Sequence, residues 1–269
     1  MVFNLFDLIG LTGLYWVWDI VAFFISLIVI LMLVQINAKI EQSGKLSTDV
    51  TRKVIHIFAA PLWVLTWMLF SGEWTSRYLA IIVPLFFVLQ FVAIGTGRVE
   101  NKDFVDSMSR SGDPKELLGG TLYYALLMVF FGITSFYSAP GVTSPLAIIV
   151  FGCLAGGDGL ADVIGRKYGG EKKFGIMGSE RTIAGSIGMF IGSFLFSFIL
   201  MFFFSFEINA WNPIPLLIPI LFISLIATIV EAISPKGLDN WTVPIVVSIL
   251  LIFIVYLFPV WTFANQTLW

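Results

Sequence analysis

An all-α fold, a polytopic bundle of about eight membrane-crossing helices, is what the sequence predicts, from its composition, the spacing of its apolar runs and the charges between them. Of 269 residues, 58% are hydrophobic, 16% aromatic and only 12% charged. No single soluble core can bury that proportion without leaving a greasy surface. Runs of about 20 apolar residues, enough to cross roughly 30 Å of hydrocarbon, recur along the chain. They extend from Trp16 to Ile36, Val54 to Phe70, Tyr78 to Gly95, Leu117 to Tyr137, Ser144 to Gly165, Thr182 to Phe206, Ile214 to Ile233 and Trp241 to Trp261. Residues 1–15 contain Asp7 but no Lys or Arg, so they lack the positive start of a cleaved signal peptide and are expected to be interfacial. No soluble domain, low-complexity linker or alignable repeat interrupts the pattern, which reads as a single domain over 1–269.

Orientation follows from the gaps between spans. Lys39, Lys45, Arg52 and Lys53 fall in the first gap and Arg98, Lys102, Arg110 and Lys115 in the third. Arg166, Lys167, Lys172, Lys173 and Arg181 fall in the fifth, and Lys236 in the seventh. Of the 15 basic residues only Arg77, in the second gap, lies elsewhere. Odd gaps should therefore face the cytoplasm and both termini the opposite side of the membrane, the cell membrane in a prokaryote. The acids follow the same asymmetry, with Asp7, Asp19, Glu73 and Glu207 as the exceptions among 17. The positive-inside rule does not require this of acids. For Glu41, Asp49, Glu100 and Asp103 a solvated loop face suffices.

The fifth span ends in Gly156-Gly157-Asp158-Gly159-Leu160-Ala161-Asp162. On a helix ending near Gly165, Asp158 would lie roughly 10 Å below the terminus. Four residues apart, Asp158 and Asp162 share a face, and bare anions at that depth need a cation or a water-filled cavity. The alternative is a helix that breaks at Gly156 and Gly157, leaving both acids in a wet loop. In the basic segment that follows, Gly165, Gly169, Gly170, Gly175 and Gly178 permit tight turns that bring amide groups against an oxyanion. Arg166, Lys167, Lys172 and Lys173 supply positive charge, and the two carboxylates could hold a Mg²⁺ that bridges phosphate oxygens. Ser179 or Thr182 could cap the sixth span, whose N-terminus favours an anion. The parts fit a nucleotide triphosphate, although Gly-rich basic loops also serve as plain connectors.

Glu231 stands in the last turn of the seventh span, where an acid opposes the helix dipole and requires a cationic partner or a metal. Asp239 and Asn240 open the eighth span, and either alone would serve as an N-cap. His56, the only histidine, shares a face with Arg52. It suits a phosphate contact or proton handling, and equally a neutral histidine bonded to a neighbouring helix. Pro114 suits the start of a helix, with Glu116 favoured in its first turn by capping alone.

The sequence has no GxxxxGK[ST] loop, no HExxH, and one cysteine, Cys153, which excludes disulfides and cysteine-rich metal sites. The run from Asp158 to Asp162 departs from the CDP-alcohol phosphotransferase motif, with Asp162 at its arginine position and no further aspartate before Asp239. Taken together, the motifs resemble the CTP-dependent polyprenol kinases, which include phytol and farnesol kinases, dolichol kinase and the yeast-type diacylglycerol kinase. Arg52-Lys53 with His56 is similar to that family's opening motif. Arg110-Ser111-Gly112 through Glu116-Leu117-Leu118-Gly119-Gly120, with Leu122-Tyr123-Tyr124, resembles phytol and farnesol kinases in particular. The Gly157-Asp158 to Gly169 block, the Gly178 to Gly185 block, and Glu231 with Asp239-Asn240 complete the set. Gly178-Ser179-Glu180-Arg181-Thr182 departs from the pattern and leaves Ser179 and Arg181 without assigned roles.

The resemblance implies transfer of phosphate from CTP to a bilayer-held isoprenoid alcohol, with Mg²⁺. It implies that Asp158 and Asp162 hold the metal or, in one case, take the alcohol's proton, with His56 nearby in a proton or phosphate role. Arg52, Lys53, Arg166, Lys167, Lys172 and Lys173 would contact phosphates. Gly157, Glu180, Thr182, Gly185 and Asn240 would line the nucleotide, and Glu231 and Asp239 would complete the metal shell. A lipid-phosphate cytidylyltransferase would use similar carboxylates. A transporter ranks lower, since the polar residues crowd toward one face rather than the midplane of repeated halves. No nucleic-acid partner is expected, and the sequence leaves a homo-oligomer open.

Overall fold

The computed structural model describes residues 13–109, 111–139, 142–143, 145–205 and 214–257. The interfacial segment expected before residue 13, Asp7, Arg110 and Glu207, and the ends of the spans expected to reach Phe206 and Trp261, lie outside those residues. The described chain is helical apart from a short antiparallel pair, β1 (Tyr137–Ala139) with β2 (Val142–Thr143), and an isolated bridge in a later loop. Its helices are α1 (Tyr15–Gln42), α2 (Thr48–Thr66), α3 (Ser76–Gly95), α4 (Lys102–Met108), α5 (Gly120–Thr134), α6 (Pro145–Phe151), α7 (Asp158–Tyr168), α8 (Ile183–Ser205), α9 (Ile214–Ile233) and α10 (Asp239–Leu257).

Among the described residues each expected span overlaps helix, the fourth running past Thr134 into β1 at Tyr137, and five stretches are long and apolar enough to cross a membrane: Tyr15–Gln42, Ser76–Gly95, Pro114–Thr134, Pro145–Tyr168 and Ile183–Phe204. Leu217–Ile233 and Asp239–Ile254 are shorter apolar stretches. Helix α2 is less apolar because its first turns carry Asp49, Arg52 and Lys53. Three details differ from the sequence expectation. The second span tightens into a 3₁₀ turn at Trp67–Leu69, and the fourth begins with another at Pro114–Leu118 before Gly119 redirects the chain into α5. The fifth is continuous but not uniform: Gly152–Gly157 is a π-helical segment between α6 and α7.

The chain divides into two compact units at Phe136/Tyr137. In the N-terminal unit α1 packs on α2 and α3, and α3 on α5. Tryptophans anchor these contacts, with the Trp63 indole donating to the Ala80 carbonyl (3.1 Å) and Trp18 to that of Leu69 (2.6 Å). Ser26 and Thr66 pair across α1 and α2 at 2.7 Å. Asp19, fully buried, accepts from the Ser71 amide (2.8 Å) and from the hydroxyls of Ser71 (3.0 Å), Ser76 (2.8 Å) and Thr75 (3.3 Å). The start of α1 and the second gap therefore meet at one end of this unit, as the alternation of gaps requires.

In the C-terminal unit α8 lies against the π segment and α7 along a seam of small residues. A Cβ on Gly192 would sit 2.2 Å from the Gly156 carbonyl oxygen, and one on Gly188 2.7 Å from that of Leu160. The backbones thus touch where apolar driving force between helices is absent and close packing must supply the attraction. This seam fixes the start of α7, which carries Asp158, against α8. Helix α9 packs on α8 and α10 on α9.

Candidate active site

The π segment ends where the carboxylates begin. Gly156 and Gly157 are buried within continuous helix, so the alternative of a break into a wet loop does not occur, and Asp158 and Asp162 emerge half-buried on α7. One turn on from Asp162, the Arg166 Nε donates to its Oδ1 at 3.0 Å. Arg166 and Lys167 occupy the last turn of α7, where the helix dipole favours cations, and Lys167 lies 5.2 Å from the centre of the Tyr168 ring.

Beyond Gly169 the loop folds back as a miniature hairpin. The Phe174 amide donates to the Arg181 carbonyl (2.9 Å) and the Arg181 amide to that of Phe174 (2.7 Å). At its tip the Ser179 amide closes onto the Ile176 carbonyl (3.1 Å) around Met177 (φ +49°) and Gly178 (φ +80°). Positive φ at both central residues is the primed turn that suits hairpins. Gly175 has no room for a side chain, since a Cβ would lie 2.2 Å from the Ser179 carbonyl oxygen. Ser179, a candidate cap of the sixth span, instead accepts from the Ile176 amide (2.9 Å) through its hydroxyl. Lys172 and Lys173 are exposed, and Lys173 pairs across the hairpin with Glu180. The Lys173 hydrogen bond draws the exposed Glu180 carboxyl below its usual range.

Of the two candidates for capping the sixth span, Thr182 does it: its Oγ1 accepts from the Gly185 amide at 3.0 Å. Gly185 is buried, and a Cβ there would lie 3.2 Å from the Ala161 carbonyl oxygen. The cap therefore binds the start of α8 to α7.

Arg181 gathers the remaining acids. Its Nη2 donates to Asp239 Oδ2 at 2.7 Å, and its Nε stands 2.7 Å from Glu231 Oε1, an ion pair not aligned as a hydrogen bond. Glu231 comes from the last turn of α9 and is 2% exposed; Asp239 opens α10. Asp158 lies within Coulombic reach of both Arg181 and Glu231. Burial disfavours the Arg181 cation, but Glu231, Asp239 and Asp158 outweigh it and hold the guanidinium above its ordinary range. Asp239 Oδ1 also accepts from the Asn240 amide (3.0 Å). Residues from loops five and seven therefore meet at one end of this unit. The cation demanded by Glu231 is an arginine 50 positions earlier in the sequence.

Within the N-terminal unit, Arg52 pairs with Asp49 at 3.4 Å, and Lys53 follows it on α2. His56 packs against Tyr124 of α5, with ring centres 4.8 Å apart, and its carbonyl accepts from the Tyr124 hydroxyl at 3.0 Å. Glu116 folds back over the third gap, accepting from the hydroxyls of Ser109 (2.7 Å) and Ser111 (2.9 Å). It thus orders the Ser111-Gly112-Asp113 turn, an effect that capping arguments alone do not foresee.

The donor set is chemically suited to a hard cation, because Asp158, Glu231 and Asp239 offer only carboxylate oxygen. As placed, they are spaced around a guanidinium. Among the described residues no three His, Cys, Asp or Glu side chains stand close enough together to hold an ion.

Comparison with known proteins decides the family. The probable phytol kinase 2, chloroplastic, of Oryza sativa subsp. japonica is 34% identical over 222 residues, covering 81% of this chain and 70% of that protein. The chain belongs to the phytol and farnesol kinase family. Phytol kinase 1, chloroplastic, of Arabidopsis thaliana is 33% identical over 203 residues, covering 73% of this chain and 64% of the relative. Farnesol kinase, chloroplastic, of the same plant is 32% identical over 227 residues, covering 84% and 72% respectively. No protein-family model and no solved structure matches the chain.

Proposed function

We propose that this chain transfers the γ-phosphoryl group of CTP to the hydroxyl of a membrane-held isoprenoid alcohol such as phytol, farnesol or geranylgeraniol. The products are the isoprenyl monophosphate, CDP and a proton. The observation that carries this reading is the meeting of Glu231 and Asp239 on Arg181, with Asp158 within Coulombic reach, from helix ends far apart in sequence. The names of the relatives supply the acceptor class, and the choice of CTP rests on the motif resemblance. Eight spans with both termini outside would place the odd gaps, and so this site, at the cytoplasmic headgroup level. There a long-chain alcohol presents its hydroxyl while its tail stays in the bilayer.

Phosphoryl transfer has a loose transition state, so the protein's work is to align the hydroxyl with the γ-phosphate and to offset charge. Bound Mg²⁺ would neutralise the phosphate oxygens, held by Asp158, Asp162, Glu231 and Asp239. Asp158 or Asp162 accepts the alcohol's proton as the O–P bond forms and the bond to CDP breaks. Arg166, Lys167, Lys172 and Lys173 draw the nucleotide to the loop, and Gly157, Glu180, Thr182, Gly185 and Asn240 line it. The motif resemblance gives Arg52, Lys53 and His56 a phosphate or proton role as well.

The reading is tested with purified protein in bilayers, γ-labelled CTP and an isoprenoid alcohol. The lipid product should carry the label, and Asp158→Asn should abolish transfer while the protein stays folded. Labelled pyrophosphate released in the presence of a phosphorylated lipid would instead identify a cytidylyltransferase. Nucleotide-free uptake of substrate would identify a transporter.

A further inference from the structure

Arg181 is the residue at the site for which neither the motifs nor the reaction assigns a task. Its backbone is fixed, because both its amide and its carbonyl pair with Phe174. Its side chain is fixed less well. The guanidinium does not lie fork-to-fork on one carboxylate but is shared between Glu231 on α9 and Asp239 on α10. Only the Asp239 contact is an aligned hydrogen bond; the buried Nε has close charge opposite it without alignment. Two carboxylates touch this cation, and Asp158 acts on it through space. The pair is also open from one side, with the Arg181 side chain 21% exposed against 3% for Glu231. An arginine fork matches phosphate oxygens as well as it matches carboxylates.

We propose that Arg181 is a positioning residue that exchanges partners. It holds Glu231 and Asp239 together when no divalent cation is bound. It releases them to the cation and turns onto the phosphates of the incoming nucleotide, pivoting on a backbone that the hairpin keeps in place. The inference rests on the nucleotide and metal reading above and adds an order to it: the acids are paired internally until cation and nucleotide arrive together. Free divalent cation alone therefore competes with an arginine, and nucleotide favours the exchange by giving that arginine a new partner.

The test is Mn²⁺ binding to the full chain in nanodiscs, followed by electron paramagnetic resonance with and without CTP. In the unaltered protein Mn²⁺ should bind weakly alone and more tightly with CTP. In Arg181→Gln, Mn²⁺ affinity without nucleotide should rise on the order of tenfold, and CTP affinity in the presence of Mn²⁺ should fall by a similar factor, within the usual range of coupling between linked ligands. Mn²⁺ should also raise the melting temperature of this variant more than that of the parent. A merely structural arginine would lower stability without raising cation affinity. If too little Arg181→Gln folds, Arg181→Lys serves: it keeps the charge and loses the fork, so CTP affinity should fall with a smaller gain in Mn²⁺ affinity. CTP-dependent Mn²⁺ binding in the parent, with no gain in Arg181→Gln and no loss of CTP affinity in Arg181→Lys, overturns the exchange and leaves the metal reading standing. Absence of Mn²⁺ binding to the parent even with CTP overturns both.

Discussion

Asp19 in the N-terminal unit and Glu231 in the C-terminal unit are both buried carboxylates, at 0% and 2% exposure, but their surroundings differ. Asp19 takes its hydrogen bonds from one amide and three hydroxyls of the adjoining turn, Ser71 to Ser76. Those donors are neutral, local and numerous, and together they tie α1 to the connection between α2 and α3. Glu231 faces a single arginine brought from another loop, with Asp239 and Asp158 sharing the same cation. A carboxylate surrounded by fixed neutral donors has nothing to exchange and acts as a structural tie. One of several anions around a single movable cation remains able to take another. Burial by itself does not separate the two; the kind and number of partners does.

Substitutions should separate them further. The largest effect is expected from Glu231→Gln, which should reduce turnover on the order of 100-fold, about 2.7 kcal/mol of barrier. Labelled-phosphate transfer per folded molecule measures this, and parent-like turnover would place Glu231 with Asp19 as a purely structural acid. Asp19→Ala should act the other way. It leaves buried donors unmatched and should cost about 1–3 kcal/mol of stability, read as a lower melting temperature in detergent, with transfer per folded molecule unchanged. A loss of transfer at full stability would contradict the assignment of Asp19 as a tie. The smallest effect is expected from Thr182→Ala, which removes the α8 cap and should cost about 1 kcal/mol. An unchanged melting temperature would show that the seam with α7 holds this end without the cap.

Five spans were legible because crossing a bilayer demands a length of apolar sequence that few other structures need. The charged cluster was legible in part. The position of Glu231 against its helix dipole demanded a cation, and the demand was correct. That the cation is Arg181 was not legible, because hydropathy and spacing say nothing about which loops meet, and the partners stand 50 and 58 residues apart. The motif departure at Arg181, set aside as an anomaly, was the available signal. The Asp19 network escaped notice for a simpler reason: serines and threonines in a turn look the same whether they face water or a carboxylate. The division into two units at Phe136 left no mark in composition, since both halves are equally apolar to a reader of sequence.

The π segment Gly152–Gly157 has a consequence for how the protein can vary. A π turn holds about one residue more than an α turn, and one residue on an α-helix corresponds to roughly 100° of rotation. The stretch therefore works like a spacer washer between two threaded parts, letting the apolar shaft Pro145–Phe151 and the acidic end from Asp158 be indexed separately. Deleting a single residue there would return the segment to ordinary α-helix with nearly the same total turn and leave Asp158 and Asp162 facing as they do, whereas deleting one from the α-helical shaft Pro145–Phe151 would swing both acids by roughly 100°.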